Sequence, residues 1–223
     1  MSGSVKKALL FDPNDLAEIS FPSCGGDTAF RFLQDAFVPR PVFLLSTVSN
    51  GGTNNVAPFS YVSPCATIPA AVVVSILKRN DGSDKDTLVN VRASGEFVIN
   101  AVTAEIVEAA NGCAETLPPN VSEFVVTGLA PMFLSCRTPH VAQSPVRIEC
   151  RVESETRIGG DGAGAGSIVV ASIVRAYVSK AVYRGSGQID VPGLRLIGRS
   201  SVDQYLIADG QFTITRPETG DPI

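Results

Sequence analysis

The chain has 223 residues, 44% of them hydrophobic and 18% charged, enough to bury one good core within a single domain. A net charge of −4 and a pI near 5.1 exclude the basic footprint of a nucleic-acid binder, and no apolar run is long enough to cross a membrane. The five cysteines, Cys24, Cys65, Cys113, Cys136 and Cys150, lack zinc-motif or redox-motif spacing. Met1 to Leu10 lacks the apolar stretch of a secretion signal, so a soluble protein of the reducing cytoplasm is expected.

Residues 1–37 read as an N-terminal extension packed on the main domain, with a short helix around Thr28 to Asp35. Pro39-Arg40-Pro41 stops that helix and launches Val42 to Val48, a continuous apolar run typical of a buried strand. Asn50-Gly51-Gly52 is a hairpin turn signal, and Asn55 to Ser63 is the return strand, carrying Pro58. Ala71 to Leu77 is a third strand, β-branched and central. After the polar loop Arg79 to Asp84, a short helix spans Asp86 to Ser94, with Asp86 as N-cap and Gly95 as its stop. Glu96 to Val102 returns as strand. Thr103 caps a second helix through Asn111, closed by Gly112, and Ser122 to Gly128 fits either helix or strand.

From Pro145 to Glu153 the alternation is clean. Val146, Ile148, Cys150 and Val152 interleave with Arg147, Glu149, Arg151 and Glu153, so one face is expected buried and the other wet. Gly159 to Gly166 is a glycine-rich hairpin loop without the Lys-Ser/Thr that completes a P-loop. The apolar run Ser167 to Tyr183 is too long for a flat strand and is expected to bend. Residues 215–223 read as a loose tail. About seven strands with turn signals between them predict a mainly β fold, an antiparallel closed or nearly closed barrel over residues 38–214 with short capping helices. A Rossmann fold is excluded, because strands and helices do not alternate and no Gly-x-Gly-x-x-Gly follows a strand.

Two segments carry the chemistry. In Asn55-Val56-Ala57-Pro58-Phe59-Ser60 a proline interrupts a strand, which marks either a bulged edge strand or backbone groups left open to a planar hydrogen-bonding ligand. In Lys85-Asp86-Thr87 a cation, a helix start and a hydroxyl stand together, either as an ordinary capped loop or as a phosphate clamp. The Ser46-Thr47 pair offers further hydroxyls near the end of the first buried strand.

These residues carry a resemblance. Arg40-Pro41-Val42, Ser46-Thr47, the Asn55 to Ser60 segment, Lys85-Asp86-Thr87 and Gly95-Glu96-Phe97-Val98-Ile99-Asn100 resemble, in order and spacing, the flavin reductase-like family of FMN-binding split barrels. Ser144 to Cys150 resembles a later strand of that family, and Gly198-Arg199 with Tyr205 resembles its C-terminal element. The resemblance implies a homodimer holding a flavin, usually FMN with FAD as the variant, near the subunit interface. It further implies reduction of that flavin by NAD(P)H through hydride transfer to N5. By the same resemblance the ring lies along Asn55, Val56, Ala57, Pro58 and Ser60. Ser46 and Thr47 contact the flavin, Lys85 and Thr87 bind its phosphate, and Asp86 caps the helix.

The chain departs from the family pattern in two places. Ser63 to Pro69 lacks the family's acidic residue and Pro-Pro pair, and Gly164-Ala165-Gly166-Ser167 stands where diffusible-flavin reductases carry a Gly-Asp-His element. A flavin-binding protein without nicotinamide turnover, an electron carrier, store or sensor, is therefore the alternative to a reductase. No catalytic acid or base is expected, because hydride transfer to a flavin requires none. The single histidine, His140, reads as a polar loop residue, and no metal site is expected around it.

Overall fold

The computed structural model of the chain describes residues 12, 14–118 and 120–214. The expected tail at 215–223 and the first part of the extension, residues 1–11, lie outside the described residues. In chain order the elements are α1 Gly26–Ala36, β1 Arg40–Pro41, β2 Phe43–Val48, β3 Asn54–Phe59, β4 Val62–Thr67, β5 Ala70–Leu77, α2 Asp86–Ser94 and β6 Glu96–Ala101. They continue with α3 Val107–Gly112, α4 Glu123–Thr127, β7 Pro131–Met132, β8 His140–Val141, β9 Val146–Ile158 and β10 Gly166–Val178. The last are β11 Tyr183–Gly185, β12 Gln188–Ile189, α5 Val191–Leu194, β13 Leu196–Arg199 and β14 Tyr205–Ala208.

Seven strands form one antiparallel sheet in the order β3-β2-β6-β9-β10-β5-β4. Its two edge strands, β3 and β4, are consecutive in sequence, separated only by Ser60-Tyr61. The chain therefore turns from one edge of the sheet to the other, and this bend curls the sheet into a split barrel. The expected single strand from Asn55 to Ser63 is thus two strands, broken where the chain changes edges. A smaller sheet, β1-β13-β14, packs beside the barrel.

Strand β2 explains the continuous apolar run. Leu45 joins the barrel interior with Val74, Ile76, Phe97, Ile99 and Val169. Its neighbour Leu44 faces outward, where Val42, Val56, Val102, Phe124 and Val141 form a second core under α3 and α4. Both faces are buried, so both must be apolar. Truncating Leu45, 1% exposed, to alanine is expected to cost about 2–5 kcal/mol.

Helix α2 closes one end of the barrel through Leu88 and Val91. It stops as expected at Gly95, whose φ of +70° and N–H to the Val91 carbonyl make a left-handed cap. Helix α3 starts later than expected. The Ile106 N–H donates to the Thr103 carbonyl at 3.2 Å in a turn, and the helix begins at Val107. The ambiguous segment at Ser122 to Gly128 is helix α4. The long β9–β10 hairpin has two register irregularities, at Val170/Ala171 and Ile173/Arg175, which bend it as anticipated. Gly166 opens β10 where a Cβ would stand 2.9 Å from the Leu77 side chain, so a side chain there would press into β5.

Candidate functional site

The site begins with the free edge of β3. The strand pairs with β2 in antiparallel register, Asn55 opposite Thr47 and Phe59 opposite Phe43. The Val56 N–H points away from β2 and donates to Glu123 Oε2 at 3.0 Å. Pro58, two residues on, has the same orientation, so its missing N–H falls on the open edge and no ladder bond is lost. Its carbonyl and the backbone of Ser60 remain along that edge. The edge-strand and open-backbone readings of Pro58 therefore describe one arrangement.

Next to this edge lies the start of α2. Asp86, Thr87, Lys85 and Arg79 line a small cavity of about 90 Å³ that also reaches Asn55 and Pro58. The first amides to bond within the helix are those of Leu88 and Val89, both to the Lys85 carbonyl. The Asp86 and Thr87 amides thus carry no hydrogen bond among the described residues, as expected of a helix start. Burial, reinforced by the charge of Arg79, holds the Lys85 ammonium below the usual lysine value. Asp86, Glu115 and Glu123 line the same cavity, and Asp86 is paired with Arg79. The Lys85 ammonium and the free amides of the helix start are groups that suit an anion.

Thr87 is held from below. Asn55 Nδ2 donates to Thr87 Oγ1 at 3.2 Å and to Thr47 Oγ1 at 3.1 Å, and Asn90 Nδ2 donates to Thr47 at 3.0 Å. This network links β2, β3 and α2 behind the anion site. It also corrects the expected contacts of Ser46, Thr47 and the Thr87 hydroxyl with a ligand, since all three are buried. Adjacent strand residues point to opposite faces. Thr47 therefore supports Asn55, whereas Ser46 lies in the outer core, where it donates to the Pro139 carbonyl and accepts from Asn100 Nδ2 at 3.0 Å. The capping role of Asp86 is corrected as well. Lys85 occupies the N-cap position, and Asp86, in the first turn, accepts from Arg79 at 2.7 Å.

Beyond Pro58 and Lys85 the edge opens into a second cavity of about 210 Å³, walled by Phe30 and Gln34 of α1, Ser60, Leu77 and Arg199. Gln34 donates to the Tyr61 hydroxyl at 2.9 Å and accepts from Arg40 at 2.6 Å, so the N-terminal extension forms one wall. Arg199 stands opposite Tyr205 in the β13–β14 register, its guanidinium 5.5 Å from the ring centre. A larger apolar groove of about 670 Å³ adjoins through Ser60, Tyr61 and Ser75, lined by Leu33, Phe37, Val62 and Ile168.

Two features escaped sequence reasoning. Glu123 sits in the segment that fitted helix or strand, and no pattern marks it. Folding buries it against the Val56 amide, and that burial pushes its carboxyl above the usual value even though the amide pulls it down. His140 is not a polar loop residue. It lies in β8, wholly buried, with Nε2 3.1 Å from Glu149 Oε1. Glu149 is accordingly buried too, an exception to the wet face expected of its strand.

The antiparallel split barrel defines the class of protein. Residues 36–190 match the family described as flavin reductase like domain, and the chain belongs to that family. It is 33% identical to BH2278, an uncharacterised protein of Halalkalibacterium halodurans, over 84% of this chain and 90% of that one. Nitrilotriacetate monooxygenase component B from Bacillus cereus superimposes with a TM-score of 0.84 at 30% identity, covering 90% of this chain and 100% of that structure. The 2-nitrobenzoate 2-nitroreductase NbaA of Pseudomonas fluorescens shares the fold, with a TM-score of 0.79 at 22% identity over 90% of this chain and 96% of its own.

Proposed function

We propose that the protein is a cytoplasmic FMN-dependent oxidoreductase that takes reducing equivalents from NADH or NADPH. The observation that carries this reading is the juxtaposition of Lys85 and the free Asp86 and Thr87 amides with the open edge of β3. The first group suits a phosphate, and the second suits a flat heterocycle with donors and acceptors on its rim. Lys85 and the two amides would hold the phosphate, with Thr87 fixed beneath it by Asn55. The backbone from Ala57 to Ser60, with no strand on its outer side, would orient the ring, whereas the Val56 N–H is already taken by Glu123. When bound, the flavin would supply the redox chemistry by accepting a hydride equivalent.

Each of the two cavities along the edge is smaller than the usual pocket for a cofactor-sized ligand, roughly 300 Å³ or more. Part of the ring would therefore stand outside a single chain. A second copy of the chain covering the exposed Phe30, Leu33 and Phe37 of α1 would enclose it, so we assign a homodimer. The apolar groove beside Ser60 and Tyr61 leaves room for a second organic molecule next to the ring. The test is anaerobic mixing of the FMN-loaded protein with NADH and, separately, NADPH. Loss of the flavin absorbance within seconds supports the reductase. A flavin that stays oxidised with both would leave a flavin carrier instead.

A further inference from the structure

Away from the flavin site, β8, β9 and the loop before β8 converge on Cys136, His140 and Glu149. Cys136 Sγ lies 3.8 Å from His140 Nε2, which lies 3.1 Å from Glu149 Oε1. All three donor atoms fall within 4.8 Å of one another. With bonds of roughly 2.3 Å to sulfur and 2.0–2.2 Å to nitrogen and oxygen, a tetrahedral zinc site holds its donors about 3–4 Å apart. We propose that Cys136, His140 and Glu149 bind a thiophilic divalent cation, zinc in the first instance, with the fourth position open to water.

The surroundings are built for such a site. Ser135 Oγ donates to the Glu149 carboxylate, at 2.8 and 2.6 Å from its two oxygens, and accepts from the Tyr177 hydroxyl at 2.9 Å. The Tyr177 ring packs edge-on against the His140 imidazole at 5.5 Å. Glu149 is thus oriented by an outer hydrogen bond, as ligating carboxylates usually are, while the imidazole is held by packing. The backbone beside His140 is pinned where the Val141 N–H donates to Asn100 Oδ1 at 2.8 Å. His140 Nδ1 has no partner among the described residues, so it is free to carry the ring proton when a cation displaces the Nε2–Glu149 contact.

Charge favours the same conclusion. His140 is completely buried and Glu149 is 5% exposed. On binding, a divalent cation would displace the Cys136 proton, and the resulting thiolate and the Glu149 carboxylate would cancel its charge. One soft and two harder donors select zinc over magnesium or calcium. Bound there, the ion would clip the loop carrying Cys136 to the barrel strand carrying Glu149. The sequence concealed the site because its ligands, Cys136, His140 and Glu149, follow no common zinc-motif spacing.

The full-length protein is stripped with a chelator, desalted and titrated with zinc chloride, then with cobalt chloride in a parallel sample. About one zinc per chain retained after desalting is expected, with a thiolate-to-cobalt charge-transfer band in the near ultraviolet. Cys136→Ser, at a half-buried position, should abolish the band and most of the retained zinc while leaving the circular dichroism and FMN binding unchanged. Glu149→Gln, read by cobalt spectrum alone, should shift or weaken the visible bands. Substoichiometric zinc and no thiolate band in the wild type would overturn the proposal. So would a band that survives in Cys136→Ser.

Discussion

Replacing Lys85 with alanine tests the anion site directly. The side chain has no acidic partner among the described residues, and its removal disturbs no hydrogen bond of α2, whose first amides bond to the Lys85 carbonyl. The fold should therefore persist. What is lost is one charge-assisted bond to phosphate, worth about 1.5–3 kcal/mol. At about 1.4 kcal/mol per tenfold, FMN should bind roughly 10- to 150-fold more weakly. The free Asp86 and Thr87 amides remain and retain about 0.3–1 kcal/mol of anion affinity. Adding Thr87→Ala should weaken binding further. Riboflavin, which has the same ring but no phosphate, should bind both variants as it binds the wild type. Equilibrium titration by flavin fluorescence quenching measures all the affinities. Equal losses for FMN and riboflavin, or no loss for FMN, would refute the phosphate assignment.

Four further outcomes follow from the same geometry. Glu123→Gln should tighten FMN binding several-fold in calorimetric titrations, because a negative group leaves the cavity wall while the amide oxygen still accepts from Val56. The raised Glu123 carboxyl contributes stability that is fully present below the ordinary glutamate value and is lost as pH rises through its higher folded value. Melting temperatures of Glu123→Gln should lack that decline. The lowered Lys85 value predicts that FMN affinity falls at alkaline pH from below the ordinary lysine range, and that Lys85→Ala shows no such fall. Asn55→Ala should cost about 1–2 kcal/mol in urea unfolding, and it should weaken FMN binding because Thr87 loses its anchor.

Much of the site was legible because its parts are local. A proline in a strand, a cation before a helix and a glycine after it each obey a backbone rule, and those rules placed the Pro58 edge, the start of α2 and the stop at Gly95. What was not legible depended on pairings across the chain. Ser46 and Thr47 look like equivalent hydroxyls in sequence, yet one faces each side of β2, and the cores on both sides bury them. The break at Ser60-Tyr61 follows from the sheet curling back on itself, which no local signal near Tyr61 announces. Glu123 and Val56, like His140 and Glu149, meet only after folding.

The measurement closest to the central claim is a crystal structure of the protein grown with FMN. The expected map places the phosphate at the Asp86 and Thr87 amides within reach of Lys85, with the ring along Ala57 to Ser60. A phosphate bound elsewhere, or a ring lying away from the open edge of β3, would contradict it.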